Sequence, residues 1–426
     1  MTTLIYFETD ICAGNMIYEK LIERKIYTDK IKGFFDKEQI KIITGIRRCG
    51  KSGILNLVVQ EAKRHTDEEH IIYINFEDSE FDDIVSYKEL NKYIKERMKD
   101  DGRYYIFLDE VQAVTGWEKA VNSLRLKNTD IYISGSNSRL LSEEMATLLA
   151  GRYVAFEART LSFEEFILFR KESGIVEENL YGMYDMLEKY IRRGGFPLLS
   201  VFSFTDEQAR QIISDIHTSV VHKDVVGRYK VKNAPLLNRV IAFIFDNVGR
   251  IVSIRKITDY LKSNGTVADF ETISNYVGHL EKACIIKKVD KYDVKGKNLL
   301  DSNDKYYLAD HSLQYAVRGM KRTNLPGILE NIVHNDLVRR GYKVCSGRVG
   351  TKEIDFIAEN IDGEKVYVQV CTEYGNEGTM EREFSPLEQI KDHYPKYVVT
   401  MDTHWKEDRN GVAGIHLSDF LLKEAL

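Results

Sequence analysis

The chain has 426 residues, 43% hydrophobic and 30% charged, with a formal net charge of −5. That length allows two or three domains with cores of their own, and the acid excess excludes a polybasic nucleic-acid binder as a description of the whole chain. No apolar run reaches the ~18 residues of a membrane span, the N-terminus lacks a basic signal region, and five scattered cysteines form no C-x-x-C pair. Together these predict a cytoplasmic protein with no membrane partner, no disulfide framework and no zinc site.

Residues 1–15 show no clean period, so they are expected to be a loosely held lead-in, or to precede a true start at Met16. From Met16 the apolar spacing suits one or two short helices; Arg24 or Tyr27 is placed to stack on a nucleotide base, with core packing the competing role for Tyr27. Lys41 to Thr44 then reads as a buried parallel strand. Gly45-Ile46-Arg47-Arg48-Cys49-Gly50-Lys51-Ser52 follows and fits G-x-x-x-x-G-K-[ST] at every fixed position, before Gly53 and a helical run with Ile54, Leu55, Val58 and Val59. Strand, glycine loop and helix in that order predict a phosphate-binding loop, with backbone N–H groups around the β-phosphate. Residues Gly45 to Gly53 are therefore the candidate ATP-binding set. Lys51 is expected to reach the β- and γ-phosphates, and the Ser52 hydroxyl to bind Mg²⁺.

Residues 71–77 read as a second strand, 86–100 as an amphipathic helix, and 103–110 as a third strand ending in two acids. About fifty residues after the glycine loop, Asp109 is placed to hold Mg²⁺ through water, and Glu110 to polarise an attacking water. A fourth strand ends near Ser136 and Asn137, either of which is placed to sense a γ-phosphate or simply to cap a helix. Arg152 precedes a fifth strand, Tyr153 to Glu157, and is a candidate to complete the site in cis or from a neighbour, with a surface ion pair as its other reading. Alternating strands and helices predict a doubly wound parallel α/β core through about residue 160.

Residues 161–230 read as a helical lid or linker, broken at Arg192-Arg193-Gly194-Gly195-Phe196-Pro197. Arg192 or Arg193 is a candidate phosphate contact, or a plain helix C-terminal cation. Residues 231–310 read as helix, turn, helix and hairpin, a winged helix with Gly296 near its turn. Between 228 and 300 there are 14 Lys or Arg against 7 Asp or Glu. That surplus points to nucleic acid as a partner class, but the second helix carries Asp269 and Glu271 near its start. The positive charge lies in the wing, at Lys287, Lys288, Lys291, Lys295 and Lys297.

Residues 311–426 open with a helix carrying Glu330, then strands in which Asp355 lies opposite Gln369 and Cys371 across a hairpin turn at Asp362-Gly363. This is the outline of a metal-dependent restriction-type nuclease with its last element altered. Gln369 offers a carbonyl in place of a carboxylate, and Cys371 cannot supply the cation that a lysine would. The fold is expected to remain and the cleavage activity to be absent, with Lys352 or Lys365 the nearest replacement cations.

In combination, GIRRCGKS, FLDEVQ, SGSNSRLL, AGRYVAFE, LSFEEF and RRGGFP resemble a bacterial and archaeal ATPase family that joins an AAA-type domain to a C-terminal domain of unknown function. The resemblance covers about residues 16 to 420. It implies an AAA+-like core (16–160), a winged helix and a restriction-endonuclease-like end, in which residues 329–331, 353–358 and 367–370 match the family's pattern. The chain is also similar to signalling ATPases in which a G-x-P element, here Gly195-Phe196-Pro197, replaces a lid arginine. Two departures are Cys371 and the additional residues 1–15. The leading expectation is a slow, Mg²⁺-dependent ATPase acting as a nucleotide switch with an unknown protein partner. The alternatives are a DNA-associated motor or defence protein, and an ATP-binding scaffold with negligible turnover.

Overall fold

A computed structural model describes residues 21–136, 149, 151–175, 182–293, 298–319, 324–373, 377–403 and 408–426. The described residues fall into two compact units. One takes residues up to Thr44, Lys51–Gly135 and those from 139 to Ala158; the other takes Gly45–Gly50, residues from Ser136 to 138 and Arg159–Leu426.

The first unit is built on five parallel strands: β1 (Ile40–Thr44), β2 (Ile71–Asn75), β3 (Tyr104–Asp109), β4 (Thr129–Gly135) and β5 (Tyr153–Glu157). Their order is β2-β3-β4-β1-β5. β1, β3 and β4 are buried along their whole length, which is why their sequences are nearly continuous apolar runs rather than alternating ones. Among the described residues the sheet is covered by α1 (Lys25–Lys32), α2 (Lys51–Ala62), α3 (Tyr87–Arg97) and α4 (Trp117–Leu124). α3 starts at a capping box in which Ser86 and Glu89 satisfy each other's backbone N–H groups. Ile42, Ile74, Ile106 and Ile133 from the strands pack with Leu90, Ile94 and Val121 from the helices. Parallel register puts the C-terminal ends of the strands on one edge: Asn75 pairs with Asp109, and Thr44 with both Gly135 and Glu157. In such sheets that edge is where ligands bind.

The second unit begins with α5 (Phe163–Glu172), α6 (Gly182–Arg193), α7 (Pro197–Val201) and α8 (Asp206–Ser219). α8 runs without a break into a π-helical stretch, Val220–Gly227. The break at Gly194-Gly195 is a packing junction: the Gly195 N–H donates to Asp310 Oδ2 at 2.8 Å, and a Cβ there would lie 2.3 Å from the Leu161 carbonyl oxygen. Next come α9 (Ala234–Asp246), β6 (Ile251–Val252), α10 (Ile254–Ser263), α11 (Phe270–Lys282) and the hairpin β7 (Ile286–Asp293) with β8 (Asn298–Leu308). The tip of that hairpin, including Lys295, Gly296 and Lys297, lies outside the described residues, as do residues 1–15.

The chain continues through α12 (Leu313–Arg318), α13 (Leu325–Arg339), β9 (Lys343–Val349), β10 (Lys352–Glu359), β11 (Lys365–Val370) and α14 (Glu377–Glu388). It ends in β12 (Lys396–Thr400), β13 (Asp408–Arg409), β14 (Val412–His416) and α15 (Leu417–Leu421). One sheet of nine strands runs through these segments in the order β13-β14-β12-β11-β10-β9-β7-β8-β6. Its seam is the parallel pairing of β7 with β9, Lys291 opposite Ser346 through Asp293 opposite Arg348. The sheet therefore crosses the boundary expected at residue 310.

Candidate functional site

β1 stops at Thr44 and α2 starts at Lys51, so six residues must reverse the chain. They do so with Gly45 at φ +146° and Gly50 at φ +98°, values open to glycine, and with Arg48 in the left-handed region at +68°. Ile46 and Cys49 are buried and anchor the loop from within. At Gly53 an added Cβ would meet nothing within 4 Å, so space does not demand glycine there.

Lys51 is 4% exposed, and its ammonium lies 3.7 Å from Glu110 Oε1. Asp109, which is 1% exposed, accepts from Ser134 Oγ and, at 3.3 Å, from Tyr73 OH, with the Ser52 hydroxyl beside it. Burial pushes the Asp109 carboxyl above its ordinary range; the hydroxyls of Ser134 and Ser52 pull it back, the neighbouring Glu110 charge opposes them, and Lys51 adds a smaller downward pull. Glu110 sits in the left-handed region at φ +54°, donates its N–H to Ser134 Oγ at 3.3 Å, and accepts from Gln112 Nε2. A hydroxyl against a carboxylate is an oxygen pair suited to a hard cation such as Mg²⁺. Among the described residues no group of three or more His, Cys, Asp or Glu forms a protein cage for a metal. The pair accordingly fits a cation that takes its other oxygens from a phosphate ligand and water.

The strand-tip residues divide. Ser134, still inside β4, is the one on Asp109; Ser136 instead donates to Asp224 Oδ1 at 3.3 Å, and Asn137 lies outside the described residues. Arg152 is exposed and immediately precedes β5, whose first residue pairs with Ile40 at the start of β1. It is therefore at the opposite edge from Thr44 and Asp109, about 15 Å away along strands that rise ~3.3 Å per residue. The structure does not bring it to the others within one chain. Arg24 and Tyr27 are both buried, with the guanidinium 4.6 Å from the ring centroid, and so occupy each other. Arg192 and Arg193 both pair with Asp206, at 3.7 and 3.2 Å.

A second polar centre lies in the nine-stranded sheet. Lys305 of β8, 3% exposed, places its ammonium 3.1 Å from Glu353, 3.3 Å from Asp355 and 3.6 Å from Glu330. Burial alone would lower its pKa, but Asp355, Glu330 and Glu353 outweigh that and raise it. Glu330, which also accepts from Tyr307 OH at 3.0 Å, is pushed up to about 8 by burial and then by the Asp355 charge. Gln369 Oε1 accepts the Asp355 N–H at 3.2 Å, while its amide nitrogen donates to Glu383 at 2.9 Å. Cys371 packs in an apolar cluster with Tyr367, Phe384 and Val398, and burial pushes its thiol up to about 12. Lys352 and Lys365, the replacement cations offered by the sequence, are engaged by Ser385 and Glu359 instead. The ammonium comes from Lys305, a residue the sequence reading passed over.

Sequence reasoning also missed Tyr73, Ser134 and Asp224. For Ser134 a signal existed: it is the polar residue that follows the apolar run Ile131-Tyr132-Ile133.

Residues 37–167 match the family model described as an AAA domain, and residues 184–324 one described as a domain of unknown function, DUF8612. An uncharacterized protein of Haemophilus influenzae is 39% identical over 409 residues, covering 95% of this chain and 99% of its own length. An uncharacterized protein of Methanocaldococcus jannaschii is 33% identical over 369 residues, covering 83% and 79%. Among solved structures, a Walker-type ATPase of Pyrococcus abyssi aligns with a TM-score of 0.50 at 16% identity, covering 70% of this chain and 95% of its own, a likeness of fold.

Proposed function

The chain belongs to the family of AAA-domain proteins that includes these Haemophilus and Methanocaldococcus relatives, and from that premise we propose that it is an Mg²⁺-dependent ATPase working as a nucleotide switch. The fold of its first part is that of an AAA-type ATPase. One observation carries the reading: Lys51, Ser52, Asp109 and Glu110 meet where β1 and β3 end, directly after the glycine loop. In this reading the loop N–H groups and Lys51 hold the triphosphate, and Glu110 orients the attacking water and takes its proton. Ser52 and Asp109 are the residues that would hold Mg²⁺, which neutralises phosphate oxygens when bound. The Lys51–Glu110 contact supports a resting state in which base and phosphate-binding lysine occupy each other, so that a triphosphate frees Glu110 as it draws Lys51 away. Arg152 enters only as a residue offered to a neighbouring molecule.

The helix, strand, helix, helix and hairpin of residues 234–308 support a winged helix serving as a coupling module. Lys288 is engaged by Asp304 at 3.2 Å, and α11 starts with an exposed Phe270 between Asp269 and Glu271, which is poor chemistry for a phosphate backbone. The Lys305-filled carboxylate cluster supports a terminal domain that retains a nuclease-like outline without cleaving nucleic acid.

The test is ATP binding and steady-state hydrolysis, with and without duplex DNA. Lys51→Ala is expected to abolish measurable ATP binding. Glu110→Gln should keep ATP bound and slow hydrolysis by ~10²-fold or more, the scale of a lost general base. DNA should leave the rate unchanged and stay uncut in Mg²⁺ or Mn²⁺. Strong stimulation would favour a DNA-associated motor, and tight binding without turnover a scaffold.

A further inference from the structure

Residues 86–100 have the spacing of an amphipathic helix, and α3 keeps its apolar side, with Leu90 and Ile94, in the core of the first unit. On another side of the same helix, Tyr87, Lys88, Asn91, Lys92, Lys95 and Glu96 line an open cavity of about 510 Å³. Three lysines share that wall with one glutamate, so it carries a positive surplus. Glu96 reaches Lys92 only at 3.9 Å, between two exposed side chains, where an ion pair contributes little. Glu89, the other acid of α3, is turned to the helix start, where it accepts the N–H groups of Val85 and Ser86. Lys88 and Lys95 are exposed and form no ion pair among the described residues. A row of lysines alone is an ordinary solvated surface; Asn91 sets this one apart. Its Oδ1 is buried and has no hydrogen-bond donor. A buried amide oxygen left unmade is unfavourable and calls for a partner, and turning the amide over would bury an unmade donor in the same place. The Tyr87 end of the wall is tied to the loop that follows Glu110: the Tyr87 N–H donates to the Thr115 carbonyl at 3.0 Å, and the Thr115 N–H to the Val85 carbonyl at 2.9 Å. Lys119 of α4 lies over the Tyr87 ring, 5.5 Å from its centroid, and adds a fourth cation beside the wall.

We propose that this face of α3 is a docking site for an acidic, extended segment of a partner protein, whose carboxylates pair with Lys88, Lys92 and Lys95 and whose backbone meets the Asn91 amide. A peptide brings both kinds of group along one chain: carboxylates for the ammonium groups, and N–H or C=O groups for Asn91 in either orientation of its amide. A DNA backbone answers the lysines equally well but has no donor for Oδ1, so a peptide fits more of the site. From Tyr87 to Glu96 the wall is about 13 Å long, the reach of roughly four extended residues. Lys88 and Lys92 are separated by ~6 Å along the helix, close to the ~7 Å between alternate residues of an extended chain, so acids at every second position suit the row. This deepens the switch reading, in which a protein partner senses the nucleotide, and rests on it only for coupling to turnover: a peptide seated at Tyr87 bears on the loop that carries Glu110. Docking itself is read without nucleotide, so its failure and the failure of the ATPase reading are separate results.

The experiment follows the fluorescence anisotropy of a labelled peptide of alternating glutamate and serine, with four glutamates and blocked ends, as the full chain is added without nucleotide. A labelled thymidylate strand of equal charge is titrated beside it. Wild type should bind the peptide, more weakly as salt rises. The double variant Lys88→Glu, Lys95→Glu should weaken binding roughly 10-fold or more, because two attractions become repulsions. Asn91→Leu should weaken it roughly 2- to 10-fold, the scale of one hydrogen bond, yet leave the melting temperature unchanged or higher, because the amide oxygen it removes is unpaired in the free chain. Weaker binding with undiminished stability is a result that a merely structural asparagine would not give. No binding by wild type, or unchanged affinity in both variants, would overturn the proposal. So would a thymidylate strand that binds as tightly as the peptide and is indifferent to Asn91→Leu, since the face would then be a general surface for anions.

Discussion

Two of the buried acid centres, around Asp109 and around Asp355, solve the same electrostatic problem in opposite ways. Around Asp109 the compensation is mostly neutral: hydroxyls from Ser52, Ser134 and Tyr73, with the one nearby ammonium leaning on Glu110 instead. Around Asp355 it is a full charge, with Lys305 held between three carboxylates at 3.1 to 3.6 Å. Hydroxyls lower the cost of a buried carboxylate without cancelling its charge, so the first centre still gains from an external cation. The second has its cation built in. Two constellations that look alike as strings of acids near strand ends therefore have different prospects, and the difference lies in what surrounds them.

The contrast breaks most sharply at Lys305. Lys305→Met should cost about 3–5 kcal/mol of stability in urea denaturation, because it leaves buried carboxylates without their counter-ion. A variant as stable as wild type would show that the cluster is neutral without the ammonium. A smaller effect is expected from pH. Glu330 has its folded pKa raised from about 4.5 to about 8, so the folded state holds a proton that the unfolded state releases over that window. Stability should accordingly fall as pH rises from about 5 to 8, and Glu330→Gln should flatten that slope when denaturation midpoints are compared across the range. The smallest effect belongs to the first centre. Tyr73→Phe removes one 3.3 Å hydrogen bond to Asp109 and should shift stability by about 1 kcal/mol or less. A loss as large as that at Lys305 would mean the hydroxyl shell is no mere cushion.

The parts legible in the sequence were those written in contiguous residues. The five parallel strands show as apolar runs, and Gly45 to Ser52 with Asp109-Glu110 can be read because the motif and its flanking strand and helix adjoin. The direction of a strand mattered where proximity in sequence misled: Arg152 precedes β5, and only residues that follow a strand reach the edge where Asp109 lies. Ser136 and Asn137 were favoured over Ser134 because a strand's last residue cannot be fixed from composition; β4 ends at Gly135, so Ser136 has already left the sheet. Lys305 meets Glu330, Glu353 and Asp355 across 25 to 50 residues, through a pairing of β7 with β9 that no local pattern encodes. The π-helical stretch has no sequence signature either, and with it Asp224 went unnoticed.

That seam between β7 and β9 limits how the chain can be taken apart. A nick near residue 310 would strip the outer edge of β7 of its partner, leaving bare N–H and C=O groups of the kind that recruit other strands into aggregates. The released C-terminal fragment would in turn carry Glu330, Glu353 and Asp355 with no lysine among them. Each piece would thus lose partners that it has in the intact chain.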